Sequence, residues 1–329
     1  MKYIYIILLL ILMNNFGFSN SNSLNNKELK TSKGFSFLVT GHSYGCPSKS
    51  IYPSFGLVNS IPRLNALEPS FFLMLGDNVR VLDSLNIAKF KDVFLSKLEM
   101  PVFNAVGNHD LLSSSNRKDY KMYHDLFCKQ TYYSYVVNNS LFIVLDSEIS
   151  NGNIDGKQLV FLKNVLGSEK TENGSMKNIF ICSHKILEKW KGTNFDLEIR
   201  PLLSSLMDSS EINVYMLSGD LTYASSDLYS YVDSLSKIRF IHSHLVDNKD
   251  DKILKFEITE DGEVAISPIS LSGIKISDNI EEYPPRIVAD KVKVSFMEKV
   301  RTLFINQNFY QGIFFGVLIV FIFRIARRL

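Results

Sequence analysis

Two short runs, "GDNVR" (residues 76–80) and "GNHD" (residues 107–110), stand about thirty residues apart, and each opens on a glycine. Carboxylate and amide oxygens together with imidazole suit paired divalent cations, and one aspartate can bridge two ions if both of its oxygens are free at a strand end. Asp77 is the candidate bridging ligand, and Gly76 before it removes side-chain bulk where backbone and ion approach closely. A competing chemistry comes from "GHSYG" (41–45), which fits the G-x-S-x-G pattern that places a nucleophilic serine, here Ser43, on a strand-to-helix elbow. That elbow needs a helix directly behind the serine, and Gly45-Cys46-Pro47 blocks one. It also needs an earlier strand to donate an oxyanion loop, yet "GHSYG" follows what reads as the first strand of the domain. The serine hydrolase reading is therefore the weaker one.

These residues need elements to position them. Six apolar runs recur: "FSFLV" (35–39), "FFLML" (71–75), "VFNAV" (102–106), "LFIVL" (141–145), "IFIC" (179–182) and "VYML" (214–217). Continuous rather than alternating hydrophobicity at this length predicts strands buried on both faces. Helical spacing lies between several of them, over residues 86–99, 156–167 and 195–207, so the expectation is an α/β layered fold. The runs end in "TGHSYG", "GDNVR", "GNHD", "DSE", "SHK" and "SGDLT". Function in open α/β sheets collects at the carboxyl ends of the strands, so these polar clusters are expected to converge in one site.

Taken in order, the motifs resemble those of the calcineurin-like metallophosphoesterases, a family marked by D-x-H, G-D-x-x-D, G-N-H-D/E, a lone His and G-H-x-H. The resemblance covers about residues 34–275: "GDNVR" and "GNHD" match in sequence and spacing, "YYSYVVNNSLFIVLDSE" resembles the segment that follows, and "IFICSHK" the lone-His strand. It implies a layered sandwich of mixed sheets flanked by helices, with one or two divalent ions (manganese, iron or zinc) and a phosphate mono- or diester as substrate. Attack on phosphorus by metal-activated water would need no covalent enzyme intermediate.

The resemblance also implies roles. Asn108 would ligate one ion, His184 would be the lone-His ligand, His109 would be the acid that protonates the leaving oxygen or a positive group on the phosphate, and Asp110 would orient His109. By sequence alone His184 reads better as a hydrogen-bonded core histidine than as a ligand. Arg80 stands where many relatives carry an acidic or other polar residue; it is either a solvated charge or a bidentate phosphate contact.

Two motifs depart from the pattern. "VTGHSYG" has His42 at the family's aspartate and Tyr44 at its histidine, although a second registration sets Thr40 and His42 on those places. "LSGDLT" offers Asp220 and Thr222 for the two histidines. Ligand counting then gives one ion Asp77, Asn108, His184 and Asp220, and the other Asp77 and His42 with only a neutral Tyr44 or Thr222 hydroxyl. One tight and one weaker ion are expected. His242 and His244 in "FIHSHLVD" share one face of a strand at i, i+2 and are either replacement ligands or ordinary strand residues. These departures leave room for a catalytically degenerate relative that acts as a binding or scaffold protein of the cell envelope.

The 329 residues, 46% hydrophobic, can bury a substantial core in one large domain. The net charge is +2, and setting aside Lys2, Arg324, Arg327 and Arg328 leaves the remainder at −2, so no basic face for nucleic acid is expected. Three cysteines do not make a disulfide scaffold; Cys182 reads as a packed thiol and Cys46 with Cys128 is the one pairing worth testing. The start combines Lys2, an apolar run from Tyr3 to Met13, and small residues Gly17 and Ser19, which reads as a signal peptide over 1–19 or else an uncleaved anchor. A polar leader (20–33), the domain (34–275) and a charged stalk (276–302) follow. Residues 303–323 are apolar and end in the arginines of a 324–329 tail, as in a membrane helix whose basic side stays cytoplasmic and whose preceding domain lies outside. Asn306, Gln307, Asn308 and Gln311 also allow an interfacial amphipathic helix.

Overall fold

A computed structural model describes residues 23–30, 32–45, 53–128, 130–171, 176–188, 193–209, 211–220 and 228–285. Its strands form two sheets. The first, five-stranded, runs β11-β10-β1-β2-β3 and contains β1 (Phe35–Thr40), β2 (Phe71–Met74), β3 (Val102–Asn104), β10 (Lys252–Ile258) and β11 (Val264–Ser270). The second, six-stranded, runs β4-β5-β6-β7-β9-β8, with β4 (Tyr133–Val137), β5 (Ser140–Val144), β6 (Asn178–Ser183), β7 (Asn213–Ser218), β8 (Leu228–Val232) and β9 (Arg239–Ser243). The β1-β2-β3 and β5-β6-β7-β9 pairings are parallel, and β4, β8, β10 and β11 add antiparallel edges.

The apolar runs are continuous because each face of each sheet is covered by something different. In β1 and β2, Phe37, Val39, Phe71 and Leu73 point into a core between the sheets, while Leu38, Phe72 and Met74 enter a second core. There they meet Leu57 of α1 (Phe55–Asn59), Ile61 and Leu64 of α2 (Ile61–Asn65), Ile87 and Phe90 of α3 (Ser84–Val93) and Tyr123 of α4 (Tyr120–Leu126). Phe142, Val144, Phe180 and Leu217 of the other sheet face the middle core. Their neighbours Ile143, Ile181 and Met216 face a third, shared with Leu162 of α5 (Gly156–Thr171) and Leu203 and Leu206 of α6 (Arg200–Ser209). The expected layered sandwich of mixed sheets flanked by helices is what forms.

Aromatic rings tie the middle layer together. Phe37 stacks on Phe71 and Phe256 at centroid distances of 4.8 and 4.6 Å and meets Phe142 and Phe180 of the opposite sheet edge-on at 5.1 and 5.3 Å. Side-chain caps start the helices: Ser54 accepts from Leu57 N–H, Asp83 from Asn86 N–H and Asp119 from Met122 N–H.

The domain reaches beyond 34–275 at both ends. Leu24 of the leader is buried in the helix-side core and its N–H donates to the Val102 carbonyl. From the segment expected as stalk, Ile280 enters the middle core, the Tyr283 carbonyl accepts from Ser230 N–H, and Glu281 pairs with Arg239 at 2.7 Å. Isolated apolar residues inside a polar stretch were the signal for these contacts. The signal peptide, the membrane helix and the basic tail lie outside the described residues, as does Cys46. Among the described residues no helix is long and apolar enough to cross a membrane. The Cys128 thiol donates to the Gln130 carbonyl at 3.1 Å, and Cys182 is fully buried, burial pushing its thiol well up.

Candidate metal centre at the carboxyl ends of the strands

β1 ends at His42, β2 at Asp77, β3 at "GNHD", β6 at His184 and β7 at Asp220. All five meet where the two sheets touch. The sheets approach there backbone to backbone: a Cβ on Gly41 would lie 2.3 Å from the Gly219 Cα, a distance no side chain tolerates. Gly76, at φ +82°, likewise leaves no room for a Cβ, which would fall 2.8 Å from His184 Nδ1. His42 and Asp77 themselves sit at φ 46° and 56°, a region costly for residues with a Cβ and frequent at functional sites.

Asp77 is the hub. Its Oδ1 lies 3.4 Å from His184 Nε2 and accepts from His109 N–H at 2.9 Å; its Oδ2 lies 3.8 Å from His42 Nε2. Asn108 Oδ1 and Asp220 Oδ1 are 3.2 and 3.5 Å from the same His184 nitrogen. Each imidazole is oriented from behind by a main-chain carbonyl, His184 Nδ1 by Leu75 O at 2.8 Å and His42 Nδ1 by Leu245 O at 3.1 Å. A carbonyl only accepts, so in each ring Nδ1 carries the proton and Nε2 faces the carboxylate. For the neutral His42 ring, acceptor then faces acceptor, a contact that a cation between them would resolve. His184, raised to about 9, pairs with Asp77 and Asp220 as an imidazolium until a cation displaces its Nε2 proton. Around His184 the separations of 3.2–3.5 Å are close to the about 3.0–3.4 Å between ligands that each stand about 2.1 Å from an ion, whereas the 3.8 Å between His42 and Asp77 is longer.

The donor set therefore fits divalent metal: Asp77, Asn108, His184 and Asp220 around one position, Asp77 and His42 toward a second. The carbonyl support behind each imidazole is the arrangement that metal-ligating histidines use. Among the described residues no group of three or more His, Cys, Asp or Glu side chains is preformed to hold an ion, so Asp77, His184 and Asp220 would have to draw closer around one.

Electrostatics separate the two histidines. Burial pulls His184 down, but Asp77 and then Asp220 outweigh it and raise it to about 9. Burial takes His42 down to about 4 against the pull of Asp77. Asp220 is raised by burial, with Asp77 adding to it and His184 opposing it.

The role expected of Asp110 is corrected. Its carboxylate does not meet His109; it collects N–H groups of Asp77, Asn78, Val79 and Gly107 and the Asn78 side-chain amide, at 2.7–3.2 Å. Asp110 thus clamps the loop after β2 to the loop after β3. Burial and Asp77 raise it to about 7 despite those donors. His109 Nδ1 instead meets the Arg80 carbonyl at 2.9 Å, leaving Nε2 on a half-buried ring as its free end. The Arg80 side chain, also half-buried, makes no ion pair among the described residues.

Ser43 is fully buried and donates to Asn78 Oδ1 at 3.1 Å. That bond goes to an amide and not to an imidazole, so no base activates the hydroxyl. Tyr44 is buried with its ring against His42 and His109, and Thr222 lies outside the described residues. His242 and His244 are buried on β9 and just past it, His242 Nε2 2.8 Å from His244 Nδ1 and His242 Nδ1 3.3 Å from Ser218 Oγ. They answer each other rather than Asp77. His244 pairs its backbone with Gly41 and has its ring 6.4 Å from that of His42.

Sequence reasoning missed Asn78, whose side chain joins Ser43, Asn104 and Asp110. It also missed an ion cluster beside the centre, where the buried Glu148 after β5 pairs with the buried Lys185 at 3.1 Å and with the exposed Lys118 at 2.8 Å. Charges in "DSE" and "SHK" at the ends of apolar strands were the available signal.

Compared with solved structures, the chain superposes on a purple acid phosphatase from yellow lupin (Lupinus luteus) seeds with a TM-score of 0.56 over 77% of its length, at 10% identity. This is the metallophosphoesterase fold. The chain covers 54% of that phosphatase, about half its length. A dimetal phosphatase from Danio rerio gives a TM-score of 0.47 at 13% identity, covering 72% of this chain and 96% of its own. Vps29 from Entamoeba histolytica gives 0.31 at 12% identity, covering 71% and 98%. No protein-family model and no curated protein sequence matches the chain.

Proposed function

We propose that this protein is a metal-dependent phosphoesterase that hydrolyses a phosphate mono- or diester, held at a membrane by residues 303–323 with its domain on the extracytoplasmic side. The carrying observation is that both Nε2 atoms, each oriented by a main-chain carbonyl, face opposite oxygens of one aspartate. Bound ions would supply Lewis-acid polarisation of the phosphoryl group and a water acidic enough to attack it. The chain's own groups do the rest. Asp77 shares its carboxylate between the two positions, and His109 offers Nε2 to the leaving oxygen. Arg80 brings positive charge to the phosphate, and Asp110 keeps the two loops in register.

The first position, with two carboxylates, an amide and an imidazole, should bind tightly. The second, with Asp77 and His42, should bind more weakly. Metal analysis of the purified protein, combined with hydrolysis of chromogenic mono- and diesters with manganese or zinc, tests this. The expected result is at least one ion per chain and turnover that a chelator abolishes and metal restores. A protein that keeps its ions and hydrolyses none of the panel is a binding protein, and one that takes up no ion refutes the metal reading.

A further inference from the structure

Tyr44 is the second residue past His42 and lies between two imidazoles. The ring is fully buried and lies 4.3 Å from the His42 ring and 5.1 Å from that of His109. The backbone on both sides is fastened. Tyr44 N–H donates to the Asp77 carbonyl at 3.2 Å, Gly45 N–H to the His42 carbonyl at 3.0 Å, Ser54 N–H to the Ser43 carbonyl at 2.7 Å, and Ser43 Oγ to Asn78. These bonds fix the main chain from which the ring projects between the two imidazoles. The Tyr44 hydroxyl is buried, yet it has no hydrogen-bond partner among the described residues. Buried hydroxyls are almost always partnered, and one left alone beside ligating groups calls for an explanation. His42 and His109, one proposed above as a metal ligand and one as the group offered to the leaving oxygen, flank the ring that carries it.

We propose that Tyr44 is a catalytic residue whose hydroxyl donates a hydrogen bond to a non-bridging phosphoryl oxygen of the substrate. This rests on the phosphoesterase reading. A tetrahedral oxyanion is the ligand class that the hydroxyl suits, because a neutral O–H makes its stronger hydrogen bonds to charged acceptors. The bond would fix the orientation of the phosphoryl group relative to His109, so that the leaving oxygen faces Nε2.

Tyr44→Phe removes one oxygen and leaves the ring packing in place. With manganese-loaded full-length protein, metal content is measured by elemental analysis and inorganic phosphate binding by calorimetry, alongside kcat and KM. The variant should keep the wild-type metal content, bind phosphate about tenfold or more weakly, as expected for a lost hydrogen bond to an ion, and lose kcat/KM by a similar factor. Equal phosphate affinity in the two proteins overturns the assignment, and loss of an ion from the variant overturns it too, making the phenol a ligand. A wild type that neither binds phosphate nor hydrolyses esters overturns the phosphoesterase reading and this proposal with it.

Discussion

His109 donates through Nδ1 to the Arg80 carbonyl, and its Nε2 makes no hydrogen bond among the described residues. It is not placed as a metal ligand, so His109→Ala should lower turnover by about 10²–10⁴-fold with the ions retained. Ser43→Ala should stay within a few-fold in turnover. Its cost should appear in stability, about 1–3 kcal/mol, because the buried Asn78 oxygen loses its donor. Turnover measured beside metal content separates the two outcomes. A further consequence concerns protons. Asp77 and Asp220 raise His184 to about 9, and Asp220 is itself raised, so a cation entering this position competes with protons. Affinity for manganese should therefore fall as the pH drops below about 9, by up to about tenfold per unit for each proton displaced, with protons released on binding. Titrations between pH 6 and 9 in buffers of different ionisation enthalpy check both the slope and the release. A flat profile would show that His184 is already neutral.

Strands and loops act through how closely they approach. A Cβ on Gly219 would lie 2.5 Å from Leu75 Cβ and 2.6 Å from the Leu75 carbonyl oxygen, and that oxygen orients His184. Gly219→Ala should therefore push the two sheets apart at the site, destabilising the fold by about 1–3 kcal/mol. Unlike an ordinary core substitution, it should also weaken metal binding. Thermal melts with and without manganese should show a lower midpoint and a smaller shift on adding metal. The same scale explains which strands could be read. Runs such as "LFIVL" and "VYML" are apolar throughout because both faces are covered, and they mark central strands plainly. The antiparallel strands β4, β8, β10 and β11 mix polar residues with apolar ones, as in Lys252–Ile258, so they stand out less in the sequence.

For the whole molecule, the proposed placement predicts that protease added to intact cells making the full chain degrades residues 20–302 and spares the basic tail; complete protection would refute it. Most of the centre was legible in order along the chain. Asp77, Asn108, His184 and Asp220 stand next to glycine, asparagine or serine at the ends of apolar runs, and a metal site needs those donor types wherever the strands end. The sequence alone therefore determined the layered α/β fold class and the rejection of Ser43 as an activated nucleophile, and it named the side chains that the structure brings together around His184. Only the tertiary structure could decide what each donor faces. The tautomers of His42 and His184 depend on carbonyls of Leu245 and Leu75, one 203 and the other 109 residues away. Asp110 turned from an orienter of His109 into a clamp because N–H groups from the loop after β2, about thirty residues earlier in the chain, surround it. Partnership of this kind depends on which strand ends adjoin, and that is set by the packing of two sheets across one aromatic layer, which local residue spacing does not encode.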